Sequence, residues 1–229
     1  MRINKYLTTA NYCSRREADR LIEAGKVKIN GKRAKLGDQV EEGDRVEVPG
    51  QVVELEAEPV YLAFNKPVGV ITTSDPNSRN NIINAVNSPV RVYPVGRLDV
   101  ATSGLIIMTN DGELVNKVLK AENKIEKEYL VEVDQKLTPE FLDHLRHGMN
   151  LGGRKKTLPA RVEKINDRQF SITIVEGRKR QVRRMCERGG YEARGLSRVR
   201  IGNLKLGNLL PGKSKKIAKN KIYHLLGLK

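Results

Sequence analysis

The chain has 229 residues, 38% of them hydrophobic and 31% charged, a composition that builds a folded core and excludes a largely disordered or fibrous protein. Its longest apolar runs, such as residues 105–108, are too short to span a bilayer, and no strongly amphipathic basic helix points to a membrane surface. The net charge of +16 is unevenly placed. Residues 154–229 hold 22 Lys and Arg against 5 Asp and Glu, residues 1–37 hold 10 against 3, and the stretch between is acidic on balance. Two basic regions around such a middle imply a polyanion gripped at two places. Met1 leads straight into a charged, helix-like segment without a signal-peptide core, so the expected location is the cytoplasm, with Cys13 and Cys186 as reduced thiols.

In chain order, a helix is expected over residues 3–10. A second opens at Ser14, whose spacing to Glu17 fits a capping box, and stops at Gly25. Val27-Lys28-Ile29 reads as a strand, Asn30-Gly31 as a tight hairpin turn, and residues 46–48 as a later strand. Residues 49–59, acidic and bounded by Pro49 and Pro59, read as a linker. Beyond it, short β-type runs are expected at 60–64, 68–73, 105–109, 129–133, 160–165 and 170–175. Helices are expected at 82–86, 113–120, 138–147 and 180–188, with Thr138-Pro139 as an N-cap and first-turn pair. The pattern predicts an α+β fold with a mostly antiparallel mixed sheet.

Familiar catalytic constellations are missing. His144 and His147 share one helix, but no Cys or Glu cluster completes a zinc site. No P-loop, Rossmann fingerprint or Gly-x-Ser-x-Gly element occurs. What remains is Gly96-Arg97-Leu98-Asp99 ahead of an apolar strand, a rigid base for an exposed carboxylate that serves equally well as a structural ion pair or an Asx turn.

Two resemblances sharpen this. Arg2-Ile3-Asn4-Lys5-Tyr6-Leu7, Cys13-Ser14-Arg15-Arg16-Glu17-Ala18 and Val27-Lys28-Ile29-Asn30-Gly31-Lys32 resemble the S4 RNA-binding domain over residues 1–48. The resemblance implies that Arg15, Arg16, Arg20, Lys28, Lys32 and Arg33 face RNA phosphates. Asn65-Lys66-Pro67-Val68-Gly69, Tyr93-Pro94-Val95-Gly96-Arg97-Leu98-Asp99, Glu126-Lys127-Glu128-Tyr129-Leu130-Val131 and Glu176-Gly177-Arg178-Lys179-Arg180-Gln181-Val182-Arg183-Arg184-Met185 resemble the RsuA-type pseudouridine synthases. These motifs occur in order and imply a catalytic domain over residues 60–229. Segments 114–119 and 126–131 look most like members acting on large-subunit ribosomal RNA; small-subunit and transfer RNA stay open.

By this resemblance Asp99 is the catalytic carboxylate, acting as nucleophile or base at the sugar. Arg183 is the cation that keeps it ionised, and Tyr129 packs on the uracil and handles the C5 proton. Tyr129 also reads as an ordinary cross-strand aromatic. Lys66, Arg97, Arg178, Lys179, Arg180 and Arg184 are implied RNA contacts, with Lys66 alternatively shaping the pocket with Pro67 or closing a strand-end turn, and Arg97 alternatively anchoring its loop. The target base must leave its stack to be reached. Isomerisation consumes no nucleotide, redox cofactor or metal, so no cofactor is expected, and a monomer is the simplest assembly. Two rivals remain: a non-catalytic S4-type RNA-binding protein, and a metal-dependent nuclease using Asp75, Asp99 and Asp111. The segment Gly212-Lys213-Ser214-Lys215-Lys216-Ile217 departs from the family pattern, which bears on the RNA target rather than on the chemistry.

Overall fold

The computed structural model describes residues 1–55, 58–75, 77–153 and 155–228, and the chain divides into two units. The first runs from Met1 to Pro59 with two short later segments, 89–91 and 110–112. It contains α1 (Ile3–Thr9), α2 (Arg15–Glu23), β1 (Lys28–Ile29), β2 (Lys32–Arg33), β3 (Val46–Val48) and β4 (Gln51–Val53). The strands form an antiparallel sheet in the order β2-β1-β3-β4.

Ser14 caps α2 by accepting from the Glu17 amide at 3.2 Å. Only half of the expected capping box forms, because the Glu17 carboxylate pairs with Arg20. Asn30 and Gly31 both take positive φ, 52° and 77°, so the turn between β1 and β2 follows the twist of its strands. Ile3, Leu7, Ala18, Ile22, Val27 and Val46 make the core. Strand β4 lies inside the segment read as a linker. Its paired residues belong to the first unit's sheet, and the prolines bracket a hairpin partner rather than a free connector. Residues 56 and 57 of that segment fall outside the described residues.

The second unit carries β5 (Tyr61–Lys66), α3 (Ile82–Val86), β6 (Tyr93–Pro94), β7 (Ser103–Thr109), α4 (Gly112–Leu119) and β8 (Lys127–Val133). It continues with α5 (Pro139–His147), β9 (Arg161–Lys164), β10 (Gln169–Ile174), α6 (Gln181–Arg188), β11 (Ala193–Ile201), β12 (Leu204–Lys205), β13 (Ser214–Lys216) and α7 (Lys219–Leu226). Its main sheet runs β13-β5-β7-β11-β8-β10-β9, with β6 and β12 as side pairings; among the paired strands only β7 and β11 are parallel. The α+β class and the mostly antiparallel sheet are as expected.

Two clusters of buried side chains hold the helices to the sheet. Phe141, Leu142 and Leu145 of α5 and Val182 and Met185 of α6 pack with Val131, Phe170 and Ile172. Leu114 and Val118 of α4 and Ile222 and Leu226 of α7 pack with Tyr61, Leu105 and Ile107. Thr138 caps α5 at the Phe141 amide with Pro139 in the first turn, as its sequence requires.

The strand expected at 68–73 is a loop, joined to the chain ahead of α3 by an isolated bridge between Ile71 and Asn81. Strand β11, not anticipated, lies between β7 and β8. No described helix is long and apolar enough to cross a membrane.

Candidate active site

Asp99 sits in the loop between β6 and β7, and that loop is clamped at successive residues. Thr72 Oγ1 donates to the Leu98 carbonyl at 2.8 Å and accepts from the Leu98 amide at 3.3 Å. The Thr102 amide donates to the Asp99 carbonyl, and the Gly69 amide to the Val100 carbonyl. Arg183 Nη2 donates to the Ala101 carbonyl at 2.7 Å. Gly96 opens the loop at φ +78°, a conformation open to glycine at little cost. The backbone around Asp99 is thus fixed while its side chain stays half-buried.

The carboxylate faces a cavity of about 510 Å³, within the range of roughly 300–1,000 Å³ usual for small-molecule sites. Tyr129 on β8, Leu119 on α4 and Gln181 at the start of α6 share its wall. Six basic residues line it with Asp99: Arg97, Lys127, Arg178, Lys179, Arg180 and Arg198. A row of register partners crosses the sheet beside it. Lys66 on β5 faces Gly104 on β7, Gly104 faces Arg198 on β11, Arg198 faces Tyr129 on β8, and Tyr129 faces Ile172 on β10. Side chains of such partners project from the same side of the sheet. Tyr129 therefore stands beside Arg198 with its ring packed against the α5–α6 core.

Several expected site residues have other partners. Arg183 is 9% exposed and donates to the Ala101 and Ala193 carbonyls; among the described residues it forms no ion pair with Asp99. It holds the loop two residues beyond Asp99. Lys66 is 0% exposed and donates to the carbonyls of Pro67 and Val70. Buried there, the ammonium closes the loop after β5, the strand-end turn that its sequence also allows. Burial lowers the Lys66 pKa to about 8, and the negative charge of Asp99 acts in the opposite direction.

Arg178 bonds to Glu176, which also accepts from Gln181, and donates to the carbonyls of Lys155 and Lys156. It rigidifies the loop ahead of α6 as well as lining the cavity. Arg184 donates to the Leu151 carbonyl. Arg97, Lys179 and Arg180 are exposed at the cavity, with Arg180 paired to Glu187. In the first unit, Arg15, Arg16 and Arg20 project from α2, and Lys28, Lys32 and Arg33 from the β1–β2 hairpin, all exposed. Lys28 and Arg33 are direct cross-strand partners.

Sequence reasoning missed Arg198, Lys127, Thr102 and Gln181, all on the cavity wall. Arg198 was hidden because β11 itself was. Lys127 stood inside a recognised motif, next to Tyr129 in the same strand, and that adjacency was the available signal.

The comparisons agree with this geometry. The family model described as RNA pseudouridylate synthase matches residues 60–188, and the S4 domain model matches residues 1–46. The Escherichia coli K12 dual-specificity RNA pseudouridine synthase RluF is 47% identical over 230 residues, covering 100% of this chain and 79% of the relative. The Bacillus subtilis ribosomal large subunit pseudouridine synthase B is 39% identical, covering 99% and 96%. A crystal structure of a pseudouridylate synthase superposes with a TM-score of 0.72 at 29% identity, covering 98% of this chain and 99% of that one. With its carboxylate loop, its tyrosine strand and an S4 domain ahead of them, the chain belongs to the RNA pseudouridylate synthase family.

Proposed function

We propose that the protein isomerises a specific uridine of large-subunit ribosomal RNA to pseudouridine, with Asp99 as the catalytic carboxylate. The observation that carries the reading is Asp99 and Tyr129 on the wall of one cationic cavity, with the Asp99 loop clamped from several sides. The N1–C1′ bond of the uridine breaks, the uracil turns, and C5 bonds to C1′. The C5 proton is lost and N1 gains one, so substrate and product are isomers and no cofactor is consumed. Asp99 meets the sugar as nucleophile or base. Tyr129 holds the uracil plane, with its hydroxyl near the C5 proton.

Arg183 is a positioning residue, acting through Ala101. Arg97, Lys179 and Arg180 hold the backbone of the extruded nucleotide. Residues 1–48 form the RNA-binding module, presenting Arg15, Arg16, Arg20, Lys28, Lys32 and Arg33. Strand β4 completes that module's sheet, residues 54–59 lead on to the catalytic domain over 60–229, and the protein works as a cytoplasmic monomer. Large-subunit RNA is favoured by the name of the Bacillus subtilis relative.

The test maps pseudouridines in total RNA by carbodiimide-induced reverse-transcription stops, in cells with the gene, without it, and with wild type or Asp99→Asn restored. One large-subunit site lost on deletion and regained only with wild type is the expected result. A second site in another RNA would fit the dual specificity in the Escherichia coli relative's name. An unchanged map from a protein that still binds RNA makes it a non-catalytic RNA-binding protein.

A further inference from the structure

Arg198 is 3% exposed, a buried cation on the cavity wall. Its Nε donates to the Leu105 carbonyl at 2.7 Å, while its Nη2 is shielded from solvent and has no hydrogen-bond partner among the described residues. A guanidinium can only donate, and a buried donor left unpaired costs roughly 1–3 kcal/mol. Lys127 shares the cavity, and its pKa is lowered by burial and by the charge of Arg198. The Lys127 ammonium donates to the Ile125 carbonyl at 2.8 Å, and negative charge entering the cavity would offset the repulsion between the two cations.

The fold gives Arg198 little freedom. A Cβ on its parallel partner Gly104 would stand 2.3 Å from the Arg198 carbonyl oxygen and 2.6 Å from its amide nitrogen, so no side chain fits against the Arg198 backbone at this pair. Tyr129, its partner on the other side, is the residue assigned to hold the uracil.

We infer that Arg198, with Lys127 beside it, donates to a carbonyl oxygen of the extruded uracil and stabilises the anion formed when N1–C1′ breaks. This rests on the function proposed above. On heterolysis the electron pair passes to N1 and spreads to O2 and O4, while C1′ is taken by Asp99 or converted to an alkene by loss of its neighbouring proton to Asp99. The turned ring then attacks C1′ through C5, either displacing the carboxylate or adding to the alkene as the sugar proton returns. C5 gives up its proton and N1 takes one, which restores a neutral product. The ring is anionic only between bond breaking and bond making, so a fixed donor at its oxygen favours that stretch of the reaction over the bound uridine.

The test uses full-length protein and large-subunit ribosomal RNA transcribed with [5-³H]uridine, reading tritium release under single-turnover conditions. Arg198→Met, Arg198→Gln and Arg198→Lys are compared with wild type, alongside RNA affinity by filter binding and thermal melting. Arg198→Gln keeps a donor for the Leu105 carbonyl and carries the test if the Met variant does not fold. The expected loss for Met and Gln is about 10²-fold in rate, with about tenfold recovered by Lys and RNA affinity held within about threefold. Rates within about threefold of wild type overturn the inference. So does a rate loss matched by a loss of RNA affinity, or one equally deep in the Lys variant, since either marks a role in structure or docking alone. A wild type that releases no tritium overturns the functional reading itself, and this inference with it.

Discussion

The Asp99 loop is held by backbone bonds at its neighbours, and among the described residues Asp99 forms no ion pair, so its side chain can be changed without unfastening the loop. Asp99→Asn is nearly isosteric and keeps the bonds at Leu98, Val100 and Ala101. Its single-turnover rate should fall at least about 10³-fold while RNA affinity stays near wild type. Quench-flow and filter binding on the same preparation check the split, and a joint loss would move Asp99 from chemistry to docking.

Lys66 offers a different reading at the same scale. Its ammonium is buried and its pKa stands near 8 against an ordinary value of 10.5. Between those values the unfolded chain binds more protons than the folded one, so this lysine adds stability as pH rises through that window and opposes folding below it. Melting temperatures of wild type and Lys66→Met at pH 7.5 and 9.5 measure the effect. The wild type should gain on the variant at the higher pH; a constant difference would mean that the folded state does not disfavour the charge.

At the scale of elements, local chemistry was legible where one short signal governs one conformation. Ser14 and Thr138 start helices, Asn30-Gly31 turns a hairpin, a continuous apolar run marks β7, and apolar residues at alternate positions mark β8 and β10. Strand β11 was not legible because its periodicity is broken twice. Register shifts fall between Ala193 and Gly195 and between Arg198 and Arg200, and four of its nine residues are Arg or Ser at mixed depths. An arginine buried by two flanking strands looks, in one dimension, like an arginine on a surface. The same ambiguity left Lys66 open between a phosphate contact and a strand-end turn, since depth depends on the strands beside it. The motif residues Asp99 and Tyr129 were legible by resemblance, whereas the cavity's deeper cations required the sheet order.

Gly104 tests the β7–β11 contact directly. Its φ of +107° is strained for any side chain, and the Cβ clash is with backbone, which cannot rotate away. Gly104→Ala should destabilise the second unit by about 2–4 kcal/mol, read as a lower denaturant midpoint at unchanged slope. A shift within error would show that the strands part easily there.

For the whole molecule the charge pattern is the dominant fact: 22 basic against 5 acidic residues after position 153, and 10 against 3 before position 38. Exposed Arg15 and Arg16 belong to the second of these groups and lie outside the cavity. If they meet phosphates, the double change to Ala should weaken binding alike for all RNAs and reduce the slope of log affinity against log salt by about 1–2. Titrations at four salt concentrations decide it, and an unchanged slope would leave α2 as a solvated surface.

The central position of β11 governs when this protein can begin to exist as an enzyme. Residues 193–201 fill the place between strands that start at 103 and 127, so the sheet cannot be completed until they too have been translated. Until then the nascent chain carries two open strand edges and an unfinished pocket wall, a state prone to pairing with other chains. Truncation before β11 should therefore leave an aggregation-prone fragment without a complete pocket wall.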